Sequence, residues 1–258
     1  MNSLHILVSN DDGIHAQGIR VLATYLATFA QVTVVAPDRP QSASSHGITL
    51  HKPLYAEKAD LGEGIRAYQV NGTPADCVKL GLGALCHESV EPVDLVLSGI
   101  NAGSNLGHDI VYSGTAAAAS EGALLGFPAI ALSLTGEPFD FMACAKVARL
   151  LIDQFVLHGL PKDTYLNVNV PPGGYEELTG IEITRTGVRQ YQNDYTKRVD
   201  PLGRSYYWQA GEIVKLNNEP GTDVYAVEQH RVSVTPVTFD FTNDRLLDTL
   251  GTWHLSLG

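Results

Sequence analysis

Leu4-His5-Ile6-Leu7-Val8-Ser9, running into Asn10-Asp11-Asp12-Gly13, is the stretch whose reading decides the fold. The run up to Ser9 is short, apolar and strand-like. Beyond the polar turn, Ile19, Leu22, Ala23, Leu26 and Ala30 recur at helical spacing, and Gln31 to Ala36 returns to a β-branched run. Strand, helix and strand in this succession make a βαβ unit, which implies parallel strands, a right-handed crossover and helices covering the sheet.

Working outward, the alternation persists. Ile65 to Val70 reads as a strand, and Thr73-Pro74-Ala75-Asp76 starts a helix running towards Cys86, with Thr73 as N-cap and Pro74 at the first helical position. Asp94 to Ser98 is a further strand, Thr115 to Leu125 an alanine-rich helix, Ala129 to Leu134 a strand and Phe139 to Leu157 a long amphipathic helix. An α/β doubly wound sheet fits this order. After Pro171-Pro172 the pattern changes to β-like segments at Gly180 to Thr186, Tyr206 to Ala210 and Arg231 to Val237, separated by polar loops. One domain over 1–258 is expected, with a body at about 1–170 and a β-rich extension at about 171–258.

A chain of 258 residues, 44% hydrophobic and 17% charged, can bury one sizeable core. No apolar run approaches the roughly 18 residues of a membrane span, and Ile6-Leu7-Val8 is too brief for a signal-peptide core. A cytoplasmic location without membrane contact is expected. Cys77, Cys86 and Cys144 are odd in number and form neither a CxxC pair nor a zinc spacing, so free buried thiols are expected rather than disulfides. The net charge of -11 argues against duplex nucleic acid as a partner. It repels phosphate substrates too, so an enzyme acting on them needs local cations.

In an open parallel sheet the loops at the carboxyl ends of the strands converge on one edge, where ligands bind. That rule selects Asn10 to Gly13, Pro37 to Gly47 and Gly99 to Asn105. Two adjacent carboxylates, Asp11 and Asp12, repel unless a cation or hydrogen bonds compensate them. Mg²⁺ or Mn²⁺ prefers oxygen ligands and keeps waters, so Asp11, Asp12, a hydroxyl such as Ser42 and an amide oxygen such as Asn101 make a chemically sensible open shell. Asp-Gly is also among the commonest turn dipeptides, and Ser42 and Asn101 would serve equally as local turn caps. Tyr112-Ser113-Gly114-Thr115 leads into the alanine-rich helix, whose free N–H groups suit an anion; simple capping by Ser113 or Thr115 is the alternative.

Several other chemistries fail on pattern. Gly62-Glu63-Gly64-Ile65-Arg66-Ala67 precedes a strand instead of joining strand to helix, so it is no dinucleotide fingerprint. No P-loop, GxSxG elbow or HExxH is present, and the nine histidines are scattered, with His46 and His108 in candidate site loops. Arg185, Arg189, Lys197, Arg198 and Arg204 are interleaved with Tyr191, Tyr195, Tyr206, Tyr207 and Trp208, a composition that could stack bases, contact phosphates or pack against another subunit, with a charged solvated hairpin as the plain alternative; subunit contact is preferred to nucleic acid. The segment from Arg185 to Trp208 is expected to leave the main body and pack on another copy.

Taken jointly and in this order, Ile6 to Gly13, Val34 to Arg39, Gly72 to Val78, Ser98 to Gly103 and Ser113-Gly114-Thr115 resemble the SurE family. Asn167-Val168-Asn169-Val170-Pro171, Asn193-Asp194-Tyr195 and Thr235-Pro236 extend the likeness over nearly the whole chain. The resemblance implies a Rossmann-like, mostly parallel α/β sheet with a β-hairpin and a C-terminal extension exchanged between subunits of a dimer or tetramer. It also implies 5′- and 3′-nucleotidase activity on nucleoside monophosphates, with short polyphosphate as a further substrate. One divalent metal ion, Mg²⁺ or Mn²⁺, would be held by Asp11, Asp12, Ser42 and Asn101, with Asn10, Ser113, Gly114 and Thr115 on the phosphate. Arg39-Pro40-Gln41 departs from the polar residues that relatives often carry before Ser42. Two rivals stand beside this reading. An aspartyl-phosphate phosphatase would need Asp-x-Asp-x-Thr where this chain has Asp11-Asp12-Gly13-Ile14-His15. A non-catalytic nucleotide-binding regulatory module would share the same site.

Overall fold

The structure, a computed structural model, describes residues 4–88, 92–192, 194–214 and 216–257. The strands are β1 (His5–Ser9), β2 (Gln31–Pro37), β3 (Ala56–Ala59), β4 (Ile65–Val70), β5 (Leu95–Ala102), β6 (Ala129–Leu134), β7 (Thr164–Val170), β8 (Ile181–Ile183), β9 (Gln190–Tyr191), β10 (Asp194–Val199), β11 (Ser205–Ala210), β12 (Ile213–Val214) and β13 (Val232–Thr238). The helices are α1 (Gln17–Leu26), α2 (Pro74–Gly83), α3 (Gly114–Leu124), α4 (Phe141–His158), α5 (Asp223–Glu228) and α6 (Asp244–Gly251).

β1 pairs in parallel with β2 on one side and β5 on the other, so the opening strand is the middle of the parallel run. Its five residues are all buried, as a strand covered on both faces requires. The nine-stranded sheet has the order β3-β4-β2-β1-β5-β6-β7-β13-β8. The run β4 to β7 is parallel; β3 closes one edge antiparallel to β4, and β13 runs antiparallel to β7. The helices cover both faces. Ile19, Leu22 and Leu26 of α1 join Val147 and Ile152 of α4 in one apolar cluster, while Val78 and Leu82 of α2 join Ala116 and Ala119 of α3 in the other. This is the expected doubly wound α/β fold.

The sheet does not stop where the β-rich half begins, because β13 and β8 continue it beyond β7. The expected strand over Gly180 to Thr186 is shorter, with Ile181–Ile183 paired to β13 and Arg185 only bridging to Thr222. The hairpin β10–β11 stands apart, and none of its described side chains is buried. Asn193 lies outside the described residues.

Local chemistry sets the ends of the elements that carry the site. Thr73 caps α2 with a complete capping box: its hydroxyl accepts from Asp76 N–H, and Asp76 Oδ2 accepts from Thr73 N–H at 2.9 Å. α4 begins at Phe141, not Phe139, because Asp140 is its N-cap and accepts from Ala143 N–H at 2.9 Å. β5 runs past Ser98 through an irregularity between Ser98 and Asn101. Gly99 makes this possible: its φ is +138°, and a Cβ there would sit 2.5 Å from the Leu132 carbonyl oxygen.

Candidate functional site at the carboxyl edge of the sheet

Asp11 and Asp12 follow β1, Ser42 lies in the loop after β2, and Asn101 lies on the irregular end of β5. All four line one open cleft of about 690 Å³, together with Ala43, Ser104, Asn105, Asp109, Tyr112, Ser113, Tyr191 and Gln209. The convergence follows from topology: β1, β2 and β5 are adjacent and parallel, so their following loops emerge on the same side.

Asp11 is only 5% exposed. Burial pushes its carboxyl above the usual carboxylate range; the Thr115 hydrogen bonds oppose this, and the neighbouring charge of Asp12 adds to it. The Thr115 hydroxyl donates to Asp11 Oδ1, and Gln41 N–H donates to the Asp11 carbonyl at 2.7 Å. Asp12 Oδ2 accepts from Ala102 N–H at 3.2 Å, which ties the first loop to the β5 end. Asn101 Nδ2 donates to the Gly103 carbonyl at 2.8 Å, which fixes the orientation of its amide.

Of the residues expected on the phosphate, Ser113 lines the cleft, while Asn10, Gly114 and Thr115 do not. Asn10 is fully buried and donates to the Gly13 carbonyl at 3.0 Å; among the described residues its Oδ1 has no hydrogen-bond partner. Ser113 caps α3 by accepting from Ala116 N–H at 3.0 Å. Gly114 is a steric requirement. A Cβ at that position would lie 2.7 Å from Asp11 Cβ and 2.9 Å from Ser44 Oγ, so only glycine lets the first turn of α3 press against the carboxylate loop. The donors gathered here are carboxylate, hydroxyl and amide oxygens. Among the described residues no cluster of three or more His, Cys, Asp or Glu is arranged to hold a metal, so a cation would depend on Ser42 and Asn101 to complete its shell.

Sequence reasoning missed the far wall. Asp109 Oδ2 accepts from Arg189 Nη1 at 2.7 Å and from the Tyr191 hydroxyl at 2.8 Å, and Arg189 Nη1 also donates to Ser104 Oγ at 2.5 Å. The segment expected to leave the body at Arg185 therefore departs later, at Asp194. Arg185 to Tyr191 stays because buried Asp223 accepts from Gly187 N–H at 2.7 Å and from Gly107 N–H at 2.9 Å. Nothing local in the sequence marks these pairs, which lie 80 or more residues apart for Asp109 with Arg189 and Tyr191. Beneath the cleft, Asn105 N–H donates to Asn169 Oδ1 at 2.9 Å, and Asn167 and Asn169 both donate to the Asn105 carbonyl. The Asn-x-Asn pattern of β7 was the visible signal, since strand alternation puts both side chains on one face.

The model of the family described as survival protein SurE matches residues 6–193. A 5′-nucleotidase SurE from Heliobacterium modesticaldum is 48% identical over 252 residues, covering 97% of this chain and 92% of that protein. A 5′-nucleotidase SurE from Moorella thermoacetica is 50% identical over 240 residues, covering 92% of this chain and 91% of that one. The crystal structure of the SurE protein from Aquifex aeolicus superposes with a TM-score of 0.83 at 44% identity, covering 95% of this chain and 98% of that chain. With the strand order, the carboxylate loop and full-length likeness in agreement, the chain belongs to the SurE family.

Proposed function

We propose that this protein is a divalent-metal-dependent phosphatase that hydrolyses nucleoside 5′- and 3′-monophosphates to nucleoside and phosphate, and that also accepts short polyphosphate. The observation that carries the reading is the meeting of Asp11, Asp12, Ser42 and Asn101 in one cleft beside the first turn of α3. Relatives bearing the name 5′-nucleotidase support the substrate class. The all-oxygen donor set fits one Mg²⁺ or Mn²⁺ per subunit. When bound, such an ion supplies Lewis-acid polarisation of the phosphoryl group and orientation of the attacking water.

The chain's own groups do the rest. Thr115 donates to Asp11 Oδ1 and so orients this carboxylate, which would help to hold the cation. The Gly103 carbonyl accepts from the Asn101 amide nitrogen, which orients the side chain, and Asn101 would hold the cation through its amide oxygen. Ser113, which lines the cleft at the start of α3, would contribute to binding of the phosphoryl oxygens, while Thr115 steadies Asp11 and Asn10 steadies the Gly13 turn. Asp11 and Asp12 are the catalytic carboxylates in this reading. Phosphate release from nucleoside monophosphates, with and without chelator, tests it: full turnover in chelator refutes the metal requirement, binding without turnover favours a regulatory module, and a trapped phospho-aspartate favours the covalent rival.

The same reading takes the chain as a single cytoplasmic domain that assembles as a dimer or tetramer. Cys77, Cys86 and Cys144 are free and buried, which suits a reducing compartment. Among the described residues no helix is long and apolar enough to cross a membrane. The β10–β11 hairpin exposes Tyr195, Tyr207 and Trp208, and α6 buries none of its residues while leaving Leu246 and Leu247 exposed. Apolar surface of this extent is characteristic of subunit contact.

A further inference from the structure

We propose that His46, bonded to Glu121, is a positioning residue that locks the loop from Gln41 to Gly47 so that Ser42 stands at the cation site. The inference rests on the metal reading given above. Ser42 is exposed, and among the described residues its hydroxyl has no hydrogen-bond partner, so its place is set by the loop alone. That loop is under conformational load: Ala43 and Ser45 have φ of 56° and 50°, a region non-glycine residues enter only when their surroundings hold them.

The holding contacts are few. Gln41 N–H and Ser45 N–H bond to the carbonyls of Asp11 and Tyr112, Ser45 Oγ donates to the Val111 carbonyl at 2.8 Å, and Thr73 Oγ1 donates to the Gly47 carbonyl at 2.6 Å. His46 provides the loop's side-chain tie to α3, the helix whose first turn presses on Asp11. Its Nε2–H donates to Glu121 Oε2 at 2.8 Å, and Ser120 Oγ lies 3.3 Å from Nδ1. The Glu121 side chain is 5% exposed, and Lys79 of α2 donates to its other oxygen at 2.8 Å. A buried carboxylate demands partners, so Lys79 holds Oε1 and keeps Oε2 turned to His46. The cluster lies outside the cleft itself, and its chemistry is that of an outer support which orients a ligand.

The test is calorimetric Mn²⁺ binding to the full chain, with thermal melting to verify the fold of each variant. His46→Ala should weaken Mn²⁺ about tenfold, the lower range for loss of an outer partner. His46→Gln, which keeps an N–H donor, should recover most of it. Glu121→Gln should weaken binding as well, and combining it with His46→Ala should add little, because both remove one interaction. An unmodified chain that takes up no Mn²⁺ overturns the metal reading and this inference together. An unmodified chain that binds Mn²⁺ while folded His46→Ala binds equally well, or a double variant whose losses simply add, overturns the role of His46 alone.

Discussion

Thr115 and Gly114 bear on the site as directly as the carboxylates they touch. Removing the Thr115 hydroxyl leaves a buried Asp11 oxygen without its donor, which costs about 1–3 kcal/mol. Thr115→Val is therefore expected to lower both the melting temperature and nucleotidase turnover, while Thr115→Ser retains most of each. Gly114→Ala introduces a carbon within 3 Å of Asp11 and Ser44, so helix and loop must separate. Loss of roughly 1–3 kcal/mol in chemical denaturation is expected, with activity falling further than stability does. Asp12→Asn removes one of the two negative charges but preserves shape. Steady-state phosphate release should drop at least about a hundredfold with an unchanged circular dichroism spectrum, since the lost charge acts on the reaction rather than the fold.

Elements behave differently, because most of the β10–β11 hairpin stands clear of the cleft, to which it contributes Gln209 of β11. Arg189 and Tyr191 lead into the hairpin yet are anchored to Asp109, while Thr196 to Tyr207 extends free of the body. Replacing the hairpin tip within that span by a short turn should reduce the assembled mass seen by light scattering and leave the monomer's melting behaviour nearly intact. An unchanged mass would remove the hairpin from the interface. Asp223 is the counterpart on the body side, a buried carboxylate accepting from Gly107, Gly187 and Val224 N–H groups. Asp223→Ala strands those amides, and destabilisation of more than about 3 kcal/mol is expected in urea titration.

At the scale of the whole molecule, pH enters through Glu121, which lies between two helices and a loop. The His46 hydrogen bond holds its carboxyl below the ordinary value of 4.5; burial opposes that, and Lys79 assists it. A depressed folded-state pKa means that Glu121 contributes stability above its unfolded value and loses it as pH falls through the folded one. The melting-temperature advantage of the unmodified chain over Glu121→Gln should thus be full at neutral pH and shrink below about pH 4.5. An advantage independent of pH would mean that the ion pairs contribute through shape rather than charge.

Hydrophobic periodicity and turn chemistry are local, and for that reason they were legible in the chain without coordinates. β1, β2, β4 and β6 fall within a residue or two of the runs read from alternation and β-branching, and Thr73-Pro74 starts α2 as its capping pattern requires. Parallel order followed from strand alternating with helix, and from that order came the convergence of Asp11, Asp12, Ser42 and Asn101 at one edge. What needed the folded chain was everything depending on distant approach. Asp109 meets Arg189 and Tyr191, His46 meets Glu121, and Asp223 joins two segments only because sheet and helices bring them within hydrogen-bonding distance. Such partners carry no shared period or spacing, since a polar contact is specified by geometry at its two ends and not by the residues between them. The rise of the Asp11 carboxyl above its ordinary range is of the same kind: an Asp-Asp-Gly turn is ordinarily solvated, and burial beneath the first turn of α3 is what makes it costly to charge.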